Sequence, residues 1–285
     1  MAEDFKNLKK WVAGSEAYVT SQKFGVDREN LPKIPFLRRR FDYYLGLLSR
    51  ATELSKLVKE GNPGLTELKN IAKGFGYFTD AEDDELFGFK GKYEHLIRSI
   101  IAFLGEDYTT SLLSAKKIDI SLFENEKEIF ITNLLTRRSL ESTEIGQKFL
   151  QFYVDGDPEF WKLIETVFPV DCSDVVSLDP EDYLFTLFSS AFLYKVALSN
   201  TRTLLDKHIP KELIDTYLKN IIDNNPEFLY LFPSQEQAIK QGILTQFGVV
   251  SLQTPTSSGK TALCELVIFQ RALNFKSKTL FLVPF

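Results

Sequence analysis

The segment Thr254-Pro255-Thr256-Ser257-Ser258-Gly259-Lys260-Thr261 sets small residues, a cation and a hydroxyl in the order that holds a triphosphate. A triphosphate needs several backbone N–H groups aimed at one point, a positive side chain, and an oxygen ligand for its metal ion. The small residues Ser257, Ser258 and Gly259, with Thr256 before them, let the backbone curl around the phosphates. A helix opening near Lys260 adds its positive N-terminal end. In this geometry Lys260 reaches the β- and γ-phosphates of ATP, and the Thr261 hydroxyl ligates Mg2+, which keeps several of its waters. Thr254 stands where the strict loop pattern has glycine, so the chain must turn there without glycine's freedom at positive φ. The bland alternative is a chance Gly-Lys-Thr in a polar turn. The flanks argue against it, because Val249-Val250-Ser251-Leu252 suits a buried strand and Ala262 to Phe269 suits a helix.

Nineteen residues before Thr254 stands Gln235, in Leu231-Phe232-Pro233-Ser234-Gln235-Glu236-Gln237-Ala238-Ile239. The pattern predicts a helix capped by Ser234, with Gln237 completing a capping box and Ala238, Ile239 and Ile243 forming its buried stripe. A glutamine amide both donates and accepts, which matches the donor and acceptor side by side on the adenine edge. Phe228, Tyr230 and Phe232 are candidate rings for the base to stack on. A glutamine near a helix start is ordinarily only a polar surface residue. Its distance upstream of a phosphate loop is what makes Gln235 a candidate ATP ligand.

Pro233-Ser234-Gln235 with Ala238, followed by Pro255-Thr256-Ser257-Ser258-Gly259-Lys260-Thr261, resembles the Q motif and motif I of superfamily 2 helicases. A residue other than glycine at position 254 is common in that superfamily. The closing run Lys278-Thr279-Leu280-Phe281-Leu282-Val283-Pro284-Phe285 is similar to the strand that leads into motif Ia. Among its branches, the loop most resembles the Ski-type DExH group of nucleic-acid translocases. The likeness covers residues 228–285 and implies the start of a RecA-like α/β domain that binds ATP and Mg2+ and, in the complete motor, DNA or RNA. It also implies parts beyond residue 285: an acidic strand end that holds magnesium and activates water, and a second RecA-like domain with an arginine finger. Loss of that finger alone costs on the order of 10³ or more in rate. The 285 residues by themselves are therefore expected neither to hydrolyse ATP nor to unwind nucleic acid, and no catalytic residue is assigned within them. The acidic run Thr79-Asp80-Ala81-Glu82-Asp83-Asp84-Glu85 follows no apolar strand and reads as a solvated loop.

The elements upstream read differently. Phe36 to Lys59 has apolar residues spaced along one helix face, and Gly61-Asn62-Pro63-Gly64 ends it. Further helices are predicted over Leu65 to Ala72, Tyr93 to Leu104, Tyr108 to Ala115, Leu122 to Leu135, Thr143 to Tyr153, Glu159 to Phe168, Pro180 to Ser199 and Lys211 to Asp223. The breaks fall at Gly74, Gly88 and Gly91, Gly105, Asp155-Gly156-Asp157-Pro158 and Pro169. The expected fold class is mainly α: an irregular helical domain over 1–226, then the beginning of a RecA-like domain over 227–285.

Composition bounds the functions. The chain is 44% hydrophobic and 26% charged, with 25 phenylalanines, which favours aromatic packing between helices. Cys172 and Cys264 make neither a disulfide framework nor a metal site, and Cys264 is expected to be buried packing. Met1 to Trp11 has no apolar core of a secretory signal, and Tyr183 to Leu198 is shorter than a membrane span and contains Lys195. No membrane association and a cytoplasmic location are expected. Residues 228–285 carry five basic and two acidic side chains, which leaves 29 basic and 37 acidic, a net charge of −8, for residues 1–227. So acidic a region is a poor phosphate-backbone binder and tilts toward protein contacts. Arg38-Arg39-Arg40 and Arg137-Arg138 read as solvated helix faces rather than a nucleic-acid patch.

Two classes of function follow. One is the helicase or translocase; the other is a protein-interaction module that docks an effector, with no motor role for these residues. Appended helical regions in helicases of bacterial antiviral defence systems recruit a nuclease subunit, and a Hachiman-type layout fits by analogy of family. A P-loop kinase is disfavoured by Gln235 and by the Pro-Thr-Ser-Ser version of the loop.

Overall fold

The computed structural model describes residues 56, 60, 64–79, 94–156, 159–169, 180–224, 230–245, 260–276 and 278. These residues are mainly helical. The helices are α1 (Leu65–Thr79), α2 (Glu94–Leu104), α3 (Tyr108–Ala115), α4 (Glu126–Thr136), α5 (Glu144–Asp155), α6 (Glu159–Val167), α7 (Pro180–Leu198), α8 (Thr201–Leu205), α9 (Lys211–Asn224), α10 (Pro233–Lys240) and α11 (Lys260–Phe275), with a 3-10 turn at Ile120–Leu122. Among the described residues no strand is formed; Asn200 and Tyr230 make an isolated antiparallel bridge. The helix expected over 36–59, apart from Lys56, the acidic run 80–85, Arg38 to Arg40, Cys172 and the strand expected over 249–252 lie outside the described residues.

The chain divides into two compact units. One comprises Met1–Arg138 and Trp161–Lys195, the other Ser139–Phe160 and Val196–Phe285. The expected boundary near 226 falls in the second unit, in a stretch outside the described residues.

In the first unit α2 packs against α1, α3 and α4. Leu96, Ile97, Ile100, Ile101 and Leu104 of α2 are fully buried, so this helix forms a core seam. Ser99 lets α3 come close, its hydroxyl donating to the Ser111 carbonyl at 2.8 Å. Phe103 meets Tyr108 and Phe192 edge to face, with ring centroids 5.1 and 4.8 Å apart. Aromatic rings prefer this arrangement because the positive edge of one faces the negative face of the other. Helix α7 is apolar around its circumference because both sides are covered: Leu184, Leu187, Phe188, Ala191, Phe192 and Val196 are all buried. Lys195 survives there by donating to the Leu104 carbonyl at the end of α2, at 3.1 Å, and to Glu106 at 3.2 Å. No described helix is long and apolar enough to cross a membrane.

In the second unit α9 packs on α5 and on α8. Phe149, Phe152 and Phe160 cluster, with Phe152 stacked on Phe160 at 4.8 Å. Gly156 ends α5 at φ 72°, and the Arg202 side chain lies 3.0 Å from where a Cβ would stand. Glycine meets both demands, the left-handed turn and the close approach. Arg202, nearly fully buried, forms an ion pair with Asp215 at 2.8 Å, which joins α8 to α9. Tyr153 is fully buried, and burial drives its hydroxyl far above the usual phenol range, opposed by a hydrogen bond with Thr201.

Two expected boundaries move, and one expected burial changes. Helix α1 runs through Gly74 to Thr79, because buried Gly74 and Gly76 face neighbours rather than solvent, and a Cβ at Gly76 would collide with the Arg98 guanidinium. The helix expected from Leu122 starts at Glu126, since Asp119 caps a separate 3-10 turn and Asn125 caps α4 through the Lys127 amide at 3.0 Å. Cys264 is half-buried rather than buried, because Ala262, Leu263, Leu266 and Gln270 take the inward face of α11.

Phe103→Ala is expected to cost about 3–5 kcal/mol, read by denaturant unfolding, since it removes a ring that two others contact. Stability is also expected to fall above about pH 10. There the unfolded chain releases the Tyr153 and Tyr217 protons while the folded chain retains them, so the folded state binds more protons and loses ground as pH rises. A pH series of melting curves checks this.

Candidate nucleotide-binding site

Gln235 is 5% exposed, on the first turn of α10. The helix begins two residues earlier than its sequence suggested. Phe232, not Ser234, occupies the capping position, Pro233 takes the first helical place, and Gln235 rather than Gln237 closes the box. Phenylalanine offers no side-chain oxygen, so only half the motif is polar: the Phe232 N–H donates to Gln235 Oε1 at 2.7 Å. Proline explains the register, because its fixed φ suits the first helical residue and its missing N–H costs nothing there. The capping bond fixes the plane of the Gln235 amide and turns its NH2 group away from Phe232. A carbonyl oxygen has two lone pairs, so Oε1 can accept a second bond.

Behind Gln235, Ala238 and Ile239 are buried. The third member of the expected stripe differs: Leu244 is fully buried and Ile243 only half, since α10 ends at Lys240 and Gly242, at φ 89°, redirects the chain. Of the expected aromatic rings, Tyr230 is 9% exposed and Phe232 is half-buried, while Phe228 lies outside the described residues.

Lys260 and Thr261 are the first two residues of the 16-residue α11, and both are exposed. Their ammonium and hydroxyl groups therefore stand at the positive end of the helix, which favours an anion. The donor set fits Mg2+ bound to a nucleotide, since that ion takes one or two protein oxygens and completes its shell with water and phosphate. Thr261 would hold the ion and Lys260 the phosphates. Thr256, Ser257, Ser258 and Gly259 lie outside the described residues, as does the closing run from Thr279. Among the described residues no three His, Cys, Asp or Glu side chains gather as a metal-holding group.

Tertiary folding adds partners that local pattern does not reveal. Tyr217 of α9 packs on Phe269 of α11, with ring centroids 4.5 Å apart. Burial pushes the Tyr217 hydroxyl up, and the Glu265 carboxylate on α11 pushes it further the same way. The strand-like approach to α10 is held by Ser199, whose carbonyl accepts from the Leu231 N–H at 3.0 Å, and by the Asn200–Tyr230 bridge. Asn200 had a local signal, being followed three residues later by Thr203, whose N–H its side chain caps at 2.7 Å. Its pairing with Tyr230 had none. Comparison of the chain with protein-family models, with curated proteins and with solved structures finds no match.

Gln235→Ala is expected to lower stability by about 1 kcal/mol through loss of the Phe232 capping bond, measured by chemical denaturation.

Proposed function

We propose that this chain carries the first nucleotide-binding motifs of an ATP-dependent nucleic-acid helicase or translocase. A RecA-like fold around residues 227–285 belongs to that reading. The supporting observation is the placement of Lys260 and Thr261, exposed on the opening turn of a helix whose later positions Ala262, Leu263 and Leu266 are buried. That is what a phosphate loop requires of the helix it feeds: an accessible positive end on a fixed body. Gln235 adds a buried amide whose plane is set by a backbone bond, which suits recognition of a planar base edge. Here Lys260 neutralises phosphate charge, Thr261 positions Mg2+ and Gln235 reads adenine. The nucleic acid is DNA or RNA.

The acidic, helical N-terminal portion serves, in the same proposal, as a docking region for a protein partner such as a nuclease subunit, as in antiviral defence systems. Its net charge of −8 over residues 1–227 supports that role over contact with phosphate backbone.

In the intact natural protein, Lys260→Ala is expected to reduce ATP turnover at least about a hundredfold while leaving partner capture intact. Steady-state ATPase assays and affinity capture on one preparation read both. Unchanged turnover would overturn the motor assignment. Equal capture by a form lacking residues 1–226 would overturn the docking role.

A further inference from the structure

We propose that Asn200 is a positioning residue for base recognition, acting through the Tyr230–Phe232 segment on Gln235. The inference rests on the nucleotide reading above and deepens it. It stands on a continuous run of bonded residues. Asn200 Oδ1 accepts from the Thr203 N–H at 2.7 Å and so fixes the start of α8. The Asn200 backbone pairs with Tyr230, and the neighbouring Ser199 carbonyl accepts from the Leu231 N–H at 3.0 Å. One residue further on, the Phe232 N–H donates to Gln235 Oε1 at 2.7 Å. The corner at 199–200 therefore anchors the segment that enters α10, and with it the backbone N–H that holds the Gln235 amide.

Asn200 is fully buried, and its Nδ2 has no hydrogen-bond partner among the described residues. An unpaired buried donor lowers stability, so packing alone does not account for an asparagine here. Its oxygen and backbone do account for it. The chemistry being positioned is specific. Adenine presents a donor at N6 beside the acceptor N7, and a glutamine amide matches both. Guanine presents O6, an acceptor, in place of that donor, so a well-placed Gln235 favours ATP over GTP.

The test uses the intact natural protein, with fluorescent ATP and GTP analogues and with inorganic tripolyphosphate, each titrated to equilibrium. Asn200→Ala removes the capping oxygen. Asn200→Gly does the same while keeping a residue that helix starts accept, so it covers the case in which the alanine variant fails to fold. Asn200→Ser restores an oxygen within reach of the Thr203 amide. The alanine and glycine variants are expected to lose about tenfold in preference for ATP over GTP, with tripolyphosphate affinity unchanged and the serine variant restored. An unchanged ATP preference in a folded alanine or glycine variant overturns the inference, as does a parallel fall in tripolyphosphate affinity, which marks general loosening. If the wild-type protein binds tripolyphosphate without preferring either base, the role of Gln235 falls and the inference with it. If it binds none of the three probes, the nucleotide reading itself has failed.

Discussion

A helix leaves its first backbone amides without partners inside it, and each must be satisfied from outside. In this chain that constraint places most of what matters. Asp107, Asn125, Thr143 and Asn200 each turn a side-chain oxygen onto an amide of the helix they precede. α10 solves the problem differently, with proline removing one donor and Gln235 reaching back to the Phe232 N–H. The same glutamine is the candidate base reader, so a structural bond and a recognition group share one amide. The opening turn of α11 carries Lys260 and Thr261, both exposed.

Between these fixed ends, aromatic rings fill the helix contacts. Phe103, Tyr108 and Phe192 interlock in the first unit, and Phe149, Phe152 and Phe160 in the second. Planar rings cover much area at little conformational cost, which suits helices that meet without a repeating geometry. Two partly or fully buried cations are held at junctions. Lys195 closes the end of α2, where its positive charge meets the negative end of the helix. Arg202 joins α8 to α9 through Asp215 and lies against Gly156 at the end of α5. Removing Asp215 would leave the buried Arg202 charge without its 2.8 Å partner, which is costly.

The junction at 199–200 shows how these devices combine. One short antiparallel contact ties the end of α7 and the start of α8 to the residues leading into α10. Two residues of backbone pairing hold little area, yet they tether the segment that leads into a helix whose first turn carries Gln235.

Helix positions were legible in the residues themselves, because periodic apolar spacing, capping oxygens, prolines and terminal glycines act over only a few neighbours. The helices over Tyr108–Ala115, Glu144–Asp155, Pro180–Leu198 and Lys211–Asn224 fall within about two residues of the expected spans. The small-residue loop, Lys260, Thr261 and Gln235 were legible as candidates for the same local reason. Local pattern failed where a distant neighbour supplied the deciding contact. Arg98 against Gly76 let α1 continue past two glycines, and Lys195 found the end of α2 from ninety-one residues away. The cap at Phe232 turned on which of two glutamines met a backbone amide, and the contacts of Tyr217 with Phe269 and of Asn200 with Tyr230 join residues far apart in the chain. Short-range stereochemistry writes the elements into the chain; which elements touch is an outcome of burying their surfaces together.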